Sequence, residues 1–140
     1  MIHIAIVEDE EKYREQLREY IEQYCEKSGK QIQTSFFQDG EDIIENYTAD
    51  FDLIFMDIQM RFMDGMTAAR EIRKLDKKVI LMFITSIATY AIEGYEVDAL
   101  DYILKPLSYN MFEQKLNRAL LRVDGQEEHY FLIQTSEETL

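Results

Sequence analysis

Leu53-Ile54-Phe55-Met56 is an unbroken apolar run that ends in an acid, Asp57. It lacks the polar–apolar alternation of a strand with one wet face, and it is too short for an independent helix. Such a run fits a central strand buried on both faces, as in a parallel sheet covered by helices. Asp57 then sits at the carboxyl end of that strand, the edge where open α/β sheets bind ligands. Asp57 is therefore the first candidate for a reactive residue.

The rest of the chain supplies the sheet and its cover. Ile2 to Val7 reads as a strand that stops at Glu8-Asp9-Glu10-Glu11. A helix follows, with Tyr13, Leu17, Tyr20, Ile21, Tyr24 and Cys25 at three-to-four spacing, ended by Gly29. Ile32 to Phe37 is a second, more polar strand suited to a sheet edge, and Asp39-Gly40 opens a short helix through Tyr47. Asp64-Gly65 turns the chain after the Asp57 strand into a helix from about Met66 to Leu75, with Ala68, Ala69, Ile72 and Leu75 facing inward. Val79 to Ile84 is another apolar strand, closed by Thr85-Ser86. A weakly patterned helix near Thr89 to Tyr95, a strand from Asp101 to Leu104 and a helix from Tyr109 to Val123 complete the series. Five strands alternating with helices imply α/β architecture with helices on both faces of a parallel sheet.

Composition narrows the function. Apolar residues make up 46% of the 140, enough for one core. A net charge of −13 argues against direct nucleic-acid binding by this segment, because phosphate backbones need Lys and Arg, and it would repel anionic lipid. Cys25, the one cysteine, excludes an internal disulfide and lies on an apolar helix face, so it reads as core. The start carries no basic leader, and no apolar run approaches the roughly 20 residues of a membrane span, so a cytoplasmic protein is expected.

In a parallel sheet the strand ends share one edge. Glu8 and Asp9 follow strand one, Asp57 strand three, Thr85 strand four and Lys105 strand five. Three crowded carboxylates are costly unless a cation neutralises them. Magnesium suits such a site, because it takes hard oxygen ligands and completes its octahedron with water and phosphate oxygens. A carboxylate there can act as a nucleophile toward phosphorus. Lys105 could offset charge on the phosphoryl group, and Thr85 could donate to it.

The acid pair Glu8-Asp9, the stretch Asp57-Ile58-Gln59-Met60 with Met63-Asp64-Gly65 behind it, Thr85, and Tyr102-Ile103-Leu104-Lys105-Pro106 together resemble a response regulator receiver domain, the phosphoacceptor half of two-component signalling. The resemblance covers Ile2 to about Val123. It implies a flavodoxin-like sheet of order 2-1-3-4-5. It implies that Asp57 takes a phosphoryl group from a histidine kinase, with Mg2+ held by Asp9, Asp57 and the main-chain carbonyl of Gln59, and with Glu8 as the adjacent acid. Lys105 and Thr85 would contact the phosphate, and Thr85 and Tyr102 would form a switch pair. A homodimer formed on phosphorylation, through the face carrying Tyr90, Tyr95 and Tyr109, is expected. The chain would not be an enzyme beyond its own phosphorylation and dephosphorylation. One departure stands out: the family usually has proline four residues after the phosphoacceptor, and this chain has Arg61.

The stretch from Thr85 to Tyr102 further resembles receivers joined to a LytTR-type DNA-binding domain. Gly125-Gln126-Glu127-Glu128 then looks like a linker, and Tyr130 to Ile133 like the first strand of that output domain. The expectation is a receiver over 1–123, with 124–140 as linker and start of an output domain through which DNA would be bound; a stand-alone receiver acting by protein contact is the alternative.

Other readings of the same residues exist. Aspartates after strands also serve as turn residues and helix caps, Thr85-Ser86 could cap a helix, and Lys105-Pro106 could be only a turn. A flavin binder shares the fold but needs a Gly-, Ser- and Thr-rich first turn, not Glu8-Asp9-Glu10-Glu11. An aspartate-nucleophile phosphatase would carry a second acid where Gln59 stands. His3 and His129 make no case for metal or catalysis.

Overall fold

The structure is a computed structural model. It describes residues 1–86 and 96–138, with side chains as far as residue 125. The elements are β1 (Ile2–Val7), α1 (Glu11–Ser28), β2 (Ile32–Phe37), α2 (Gly40–Glu45), β3 (Leu53–Met56), α3 (Gly65–Leu75), β4 (Ile80–Thr85), β5 (Ala99–Leu104) and α4 (Tyr109–Glu138). All pairings are parallel, and the order is β2-β1-β3-β4-β5. The expected helix at Thr89 to Tyr95, with Tyr90 and Tyr95 of the expected dimer face, lies outside the described residues.

Strand periodicity divides the core in two. Ile4, Ile6, Leu53, Phe55, Met82, Ile84 and Ile103 face α1 and α4, meeting Leu17, Ile21, Phe112 and Leu116. The alternate residues Ala5, Val7, Ile54, Met56, Leu81 and Phe83 face α2 and α3, meeting Ile43, Met66, Ala69 and Ile72. Every residue of β3 is buried, as its unbroken apolar sequence requires. The more polar β2 is one of the two edge strands.

Local chemistry sets the helix ends. Gly29 takes the left-handed conformation (φ 75°) that closes α1, its N–H donating to the Cys25 carbonyl at 2.9 Å. Asp39 caps α2 by accepting from Asp42 N–H at 2.9 Å, and Asp64 caps α3 by accepting from Thr67 N–H at 2.8 Å. Cys25 packs against the core, and burial raises its thiol pKa.

Two expectations are corrected. Leu75, expected to face inward, is 60% exposed. It is the last residue of α3, where the apolar stripe has no further turn to pack with. The last helix also does not stop at Val123. It runs through Gly125 to Glu138, so the expected strand at Tyr130 to Ile133 is helical. Gly125 is not among the residues with positive φ and so makes no left-handed cap. Gln126-Glu127-Glu128 are good helix formers, and periodicity does not distinguish a four-residue apolar run in a strand from one in a helix. No helix among the described residues is long and apolar enough to cross a membrane.

Gly65 opens α3 directly beneath the site. A Cβ there would collide with the carbonyl oxygen and carbon of Asp57 and the Cα of Ile58, all backbone atoms. Gly65→Ala should therefore lose about 1–3 kcal/mol despite alanine's better helix propensity. Urea denaturation measures it, and an unchanged midpoint would show that the loop has room to shift.

Candidate functional site

The register brings the strand ends level. Val7 pairs with Met56, so Glu8 and Asp57 emerge side by side, and the Asp57 N–H donates to the Val7 carbonyl at 3.0 Å. Thr85 pairs with Leu104, and Lys105 N–H donates to the Thr85 carbonyl at 2.9 Å. Glu8, Asp57 and Lys105 each continue the strand parity that faces α1 and α4. Period two thus delivers all three to one side of the sheet edge.

There they form a buried charge cluster. The Lys105 ammonium lies 2.6 Å from Glu8 Oε1 and 3.1 Å from Asp57 Oδ2, with side-chain exposures of 8%, 2% and 5% for Lys105, Glu8 and Asp57. The Tyr13 ring of α1 covers the same ammonium, its centroid 3.7 Å from Nζ, within cation–π range. Gln59 N–H donates to Asp57 Oδ1 at 3.2 Å. Arg14 Nη1 donates to the Glu8 carbonyl at 2.7 Å, pinning the β1–α1 turn. Asp9 is half-buried, and its Oδ2 accepts from the Arg61 main-chain N–H at 3.1 Å.

Burial governs the electrostatics. Desolvation, with the nearby Asp57 charge adding to it, pushes Glu8 up from 4.5 to about 8, against the hydrogen bond from Lys105. Burial works to lower the Lys105 pKa, but its hydrogen bond to Glu8 and the charge of Asp57 outweigh that and raise it. One carboxylate oxygen from each of Glu8, Asp9 and Asp57 lies within 4.8 Å of the others. Two of these acids share one buried ammonium, and the donors of all three are hard oxygens. That set fits a hard divalent cation.

Thr85 and Tyr102 lie on the other face of the sheet from this cluster. Thr85 is fully buried at the end of β4, on the sheet face covered by α2 and α3. Tyr102 is half-buried on the same face, its ring 6.3 Å from that of Phe83. Gln59 Oε1 accepts from Ser86 Oγ at 3.2 Å, tying the β3–α3 loop to the end of β4. Tyr13, Arg14 and the Arg61 N–H were not singled out from sequence as site groups. Tyr13 starts the apolar stripe of α1 and carries no polar signal of its own, and main-chain donors leave no trace in residue type.

The sequence profile described as "Response regulator receiver domain" matches residues 4–117. The chain belongs to that family. Receiver domains are phosphoacceptors rather than conventional enzymes. Among curated proteins, this receiver is 33% identical over 120 residues to the sensory transduction protein LytT of Oceanobacillus iheyensis, covering 84% of this chain and 47% of the relative. It is 30% identical over 118 residues to LytT of Enterococcus faecalis, covering 84% and 48%. The chain thus spans about half the length of these relatives. Among solved structures, the response regulatory domain of protein mrkE from Klebsiella pneumoniae superimposes with a TM-score of 0.78 at 28% identity, covering 89% of this chain and 99% of that one. The response regulator TrrA of Thermotoga maritima, solved in complex with Mg2+-BeF, superimposes with a TM-score of 0.72 at 24% identity, covering 85% and 99%.

The Glu8 shift gives this receiver a pH signature in metal-free buffer. An unfolded chain releases the Glu8 proton near 4.5, the folded one near 8. The folded pKa is raised, so the contribution is full below 4.5 and is lost as pH rises to 8. Glu8→Gln stays neutral and should keep its stability across that window, while the wild type loses on the order of a few kcal/mol. Urea titrations in EDTA at both ends of the window test this. Parallel pH profiles for the two proteins would show that Glu8 titrates normally.

Proposed function

We propose that Asp57 is the phosphoacceptor of a two-component response regulator, supplied by a histidine kinase. The observation that carries this reading is the buried Asp57 carboxylate, 3.1 Å from the Lys105 ammonium and grouped with Glu8 and Asp9. An Asp57 oxygen attacks the phosphorus of a phosphohistidine. The P–O bond forms as the P–N bond breaks, and its electron pair leaves on the imidazole nitrogen. Lys105 offsets the charge gathering on the phosphoryl oxygens, and Gln59 N–H keeps the carboxylate oriented. Asp9, Asp57 and the Gln59 carbonyl would hold Mg2+, with Glu8 as the adjacent acid; the ion supplies further neutralisation of the phosphoryl oxygens.

The aspartyl phosphate then biases the fold. The group carries roughly −1.5 to −2 charge where the free carboxylate carried −1. Thr85 and Lys105 bind it, Tyr102 changes rotamer with Thr85, and the protein associates as a homodimer. Likeness to LytT proteins supports a LytTR-type output domain that would bind DNA, controlled by this receiver. The receiver core ends near Val123, the last buried residue of the α4 stripe among the described side chains, and residues 124–140 lead toward that domain.

Treatment with phosphoramidate and magnesium should add one phosphoryl group, read by intact mass. Asp57→Asn should abolish it. Thr85→Ala should still be labelled but lose the phosphate-dependent association seen by sedimentation. Labelling of Asp57→Asn equal to wild type would place the acceptor elsewhere.

A further inference from the structure

Asp9 is the least constrained of the three clustered acids. Glu8 and Asp57 are buried and bonded to Lys105, whereas Asp9 is half-buried on the β1–α1 turn. Among the described residues its carboxylate accepts one hydrogen bond, from the main-chain N–H of Arg61, 52 positions away in the β3–α3 loop. The Arg61 side chain is exposed. The contribution of this position to the site is therefore its backbone donor, which any residue except proline supplies.

We propose that the Arg61 main-chain N–H is a positioning group for Asp9, holding its carboxylate turned toward Glu8 and Asp57 so that the three acids are set for a divalent cation. The inference rests on the metal reading given above. A carboxylate has about four acceptor positions across two oxygens. The N–H takes one on Oδ2 and leaves the others open. Hydrogen bonds to a liganding carboxylate fix its direction, and losing such a partner typically costs 10–100-fold in metal affinity. The same bond ties the β1–α1 turn to the β3–α3 loop, so ordering one loop orders the other. Proline, the residue the family pattern leads one to expect here, cannot make it. A non-proline residue here thus provides a strap that proline cannot.

Two substitutions separate the backbone from the charge. Arg61→Ala removes the guanidinium and keeps the N–H; Arg61→Pro removes both. Calorimetric titration with MgCl2 should give Arg61→Ala an affinity equal to wild type or slightly tighter, since a nearby cation is gone. Arg61→Pro should bind about tenfold more weakly than Arg61→Ala. Equal affinity of the two variants would overturn the proposal. The amide resonance supplies a readout that needs neither metal nor a folded proline variant. In metal-free wild type the Arg61 amide proton should lie downfield and exchange slowly, and Asp9→Ala should abolish both features. An amide unaffected by Asp9→Ala overturns the strap even if magnesium binds. A wild type with the amide signature but no magnesium affinity overturns the metal reading, and the positioning role with it.

Discussion

The Lys105 ammonium sits where two acids, one aromatic ring and three strand ends meet, and removing it would leave those parts in conflict. Glu8 and Asp57 are almost wholly shielded from water, and both bond to Lys105. At an effective dielectric near 20, two unit charges about 4 Å apart interact by about 4 kcal/mol. Without the ammonium that repulsion would add to the desolvation of each acid. With it, Asp57 has a cationic partner, and the residual conflict surfaces as the raised pKa of Glu8. Breaking a buried pair by removing one partner typically costs 3–5 kcal/mol, so the cluster constrains the fold as much as the fold constrains the cluster.

That cluster exists because the sheet is parallel and its register is level. Val7 opposite Met56 and Thr85 opposite Leu104 put the next residue of each strand at a common edge. A slip of one residue between β1 and β3 would turn Glu8 or Asp57 to the other face, where α2 and α3 pack. The unbroken apolar sequence of β3 resists a slip only weakly by pattern, since both its faces are buried. Register is secured instead at the ends, by the Asp57 N–H on the Val7 carbonyl and by the Asp52 carboxylate, which accepts from His3 N–H at 2.9 Å. The site is an outcome of strand pairing, and Gly65 lets α3 start close beneath it.

The sequence showed the parts of this that depend on residue type in a local pattern. The five strands, the edge position of β2 and the caps at Gly29, Asp39 and Asp64 all follow from spacing or turn chemistry. So did the placing of Glu8, Asp9, Asp57, Thr85 and Lys105 at one edge. What escaped notice depends on tertiary geometry. Tyr13 carries the same apolar signal whether it packs on a core or over an ammonium. The Arg61 N–H belongs to the backbone and has no signature beyond the residue not being proline. The helical tail departs from the expected linker and strand because Gly125 is a stop only if it turns left-handed, and the glutamates that follow favour the helix instead. Leu75 looked buried because a periodic stripe gives no sign of where its packing partner ends.

Contacts run without interruption from the site to the last helix. Lys105 directly follows β5, and Asp101 on that strand accepts from Lys115 at 2.7 Å and Arg118 at 3.2 Å, both on α4. Asp101 is partly buried, which opposes ionisation, yet its bonds to Lys115 and the Tyr102 N–H hold its pKa below the ordinary value. The joint between β5 and α4 therefore carries charged hydrogen bonds beside its apolar core of Ile103, Phe112 and Leu116. Contiguity alone does not transmit a signal; an element with two arrangements is needed, and a ligand must favour one of them. On the phosphoacceptor reading that element is Lys105. It is shared here between Glu8 and Asp57, and a phosphoryl group on Asp57 would offer it doubly charged oxygens in place of a single carboxylate. Glu8, already poised to hold a proton near neutrality, can release the ammonium at less cost than an acid of ordinary pKa. On that reading the raised Glu8 pKa would make the resting Lys105 contacts easier to leave.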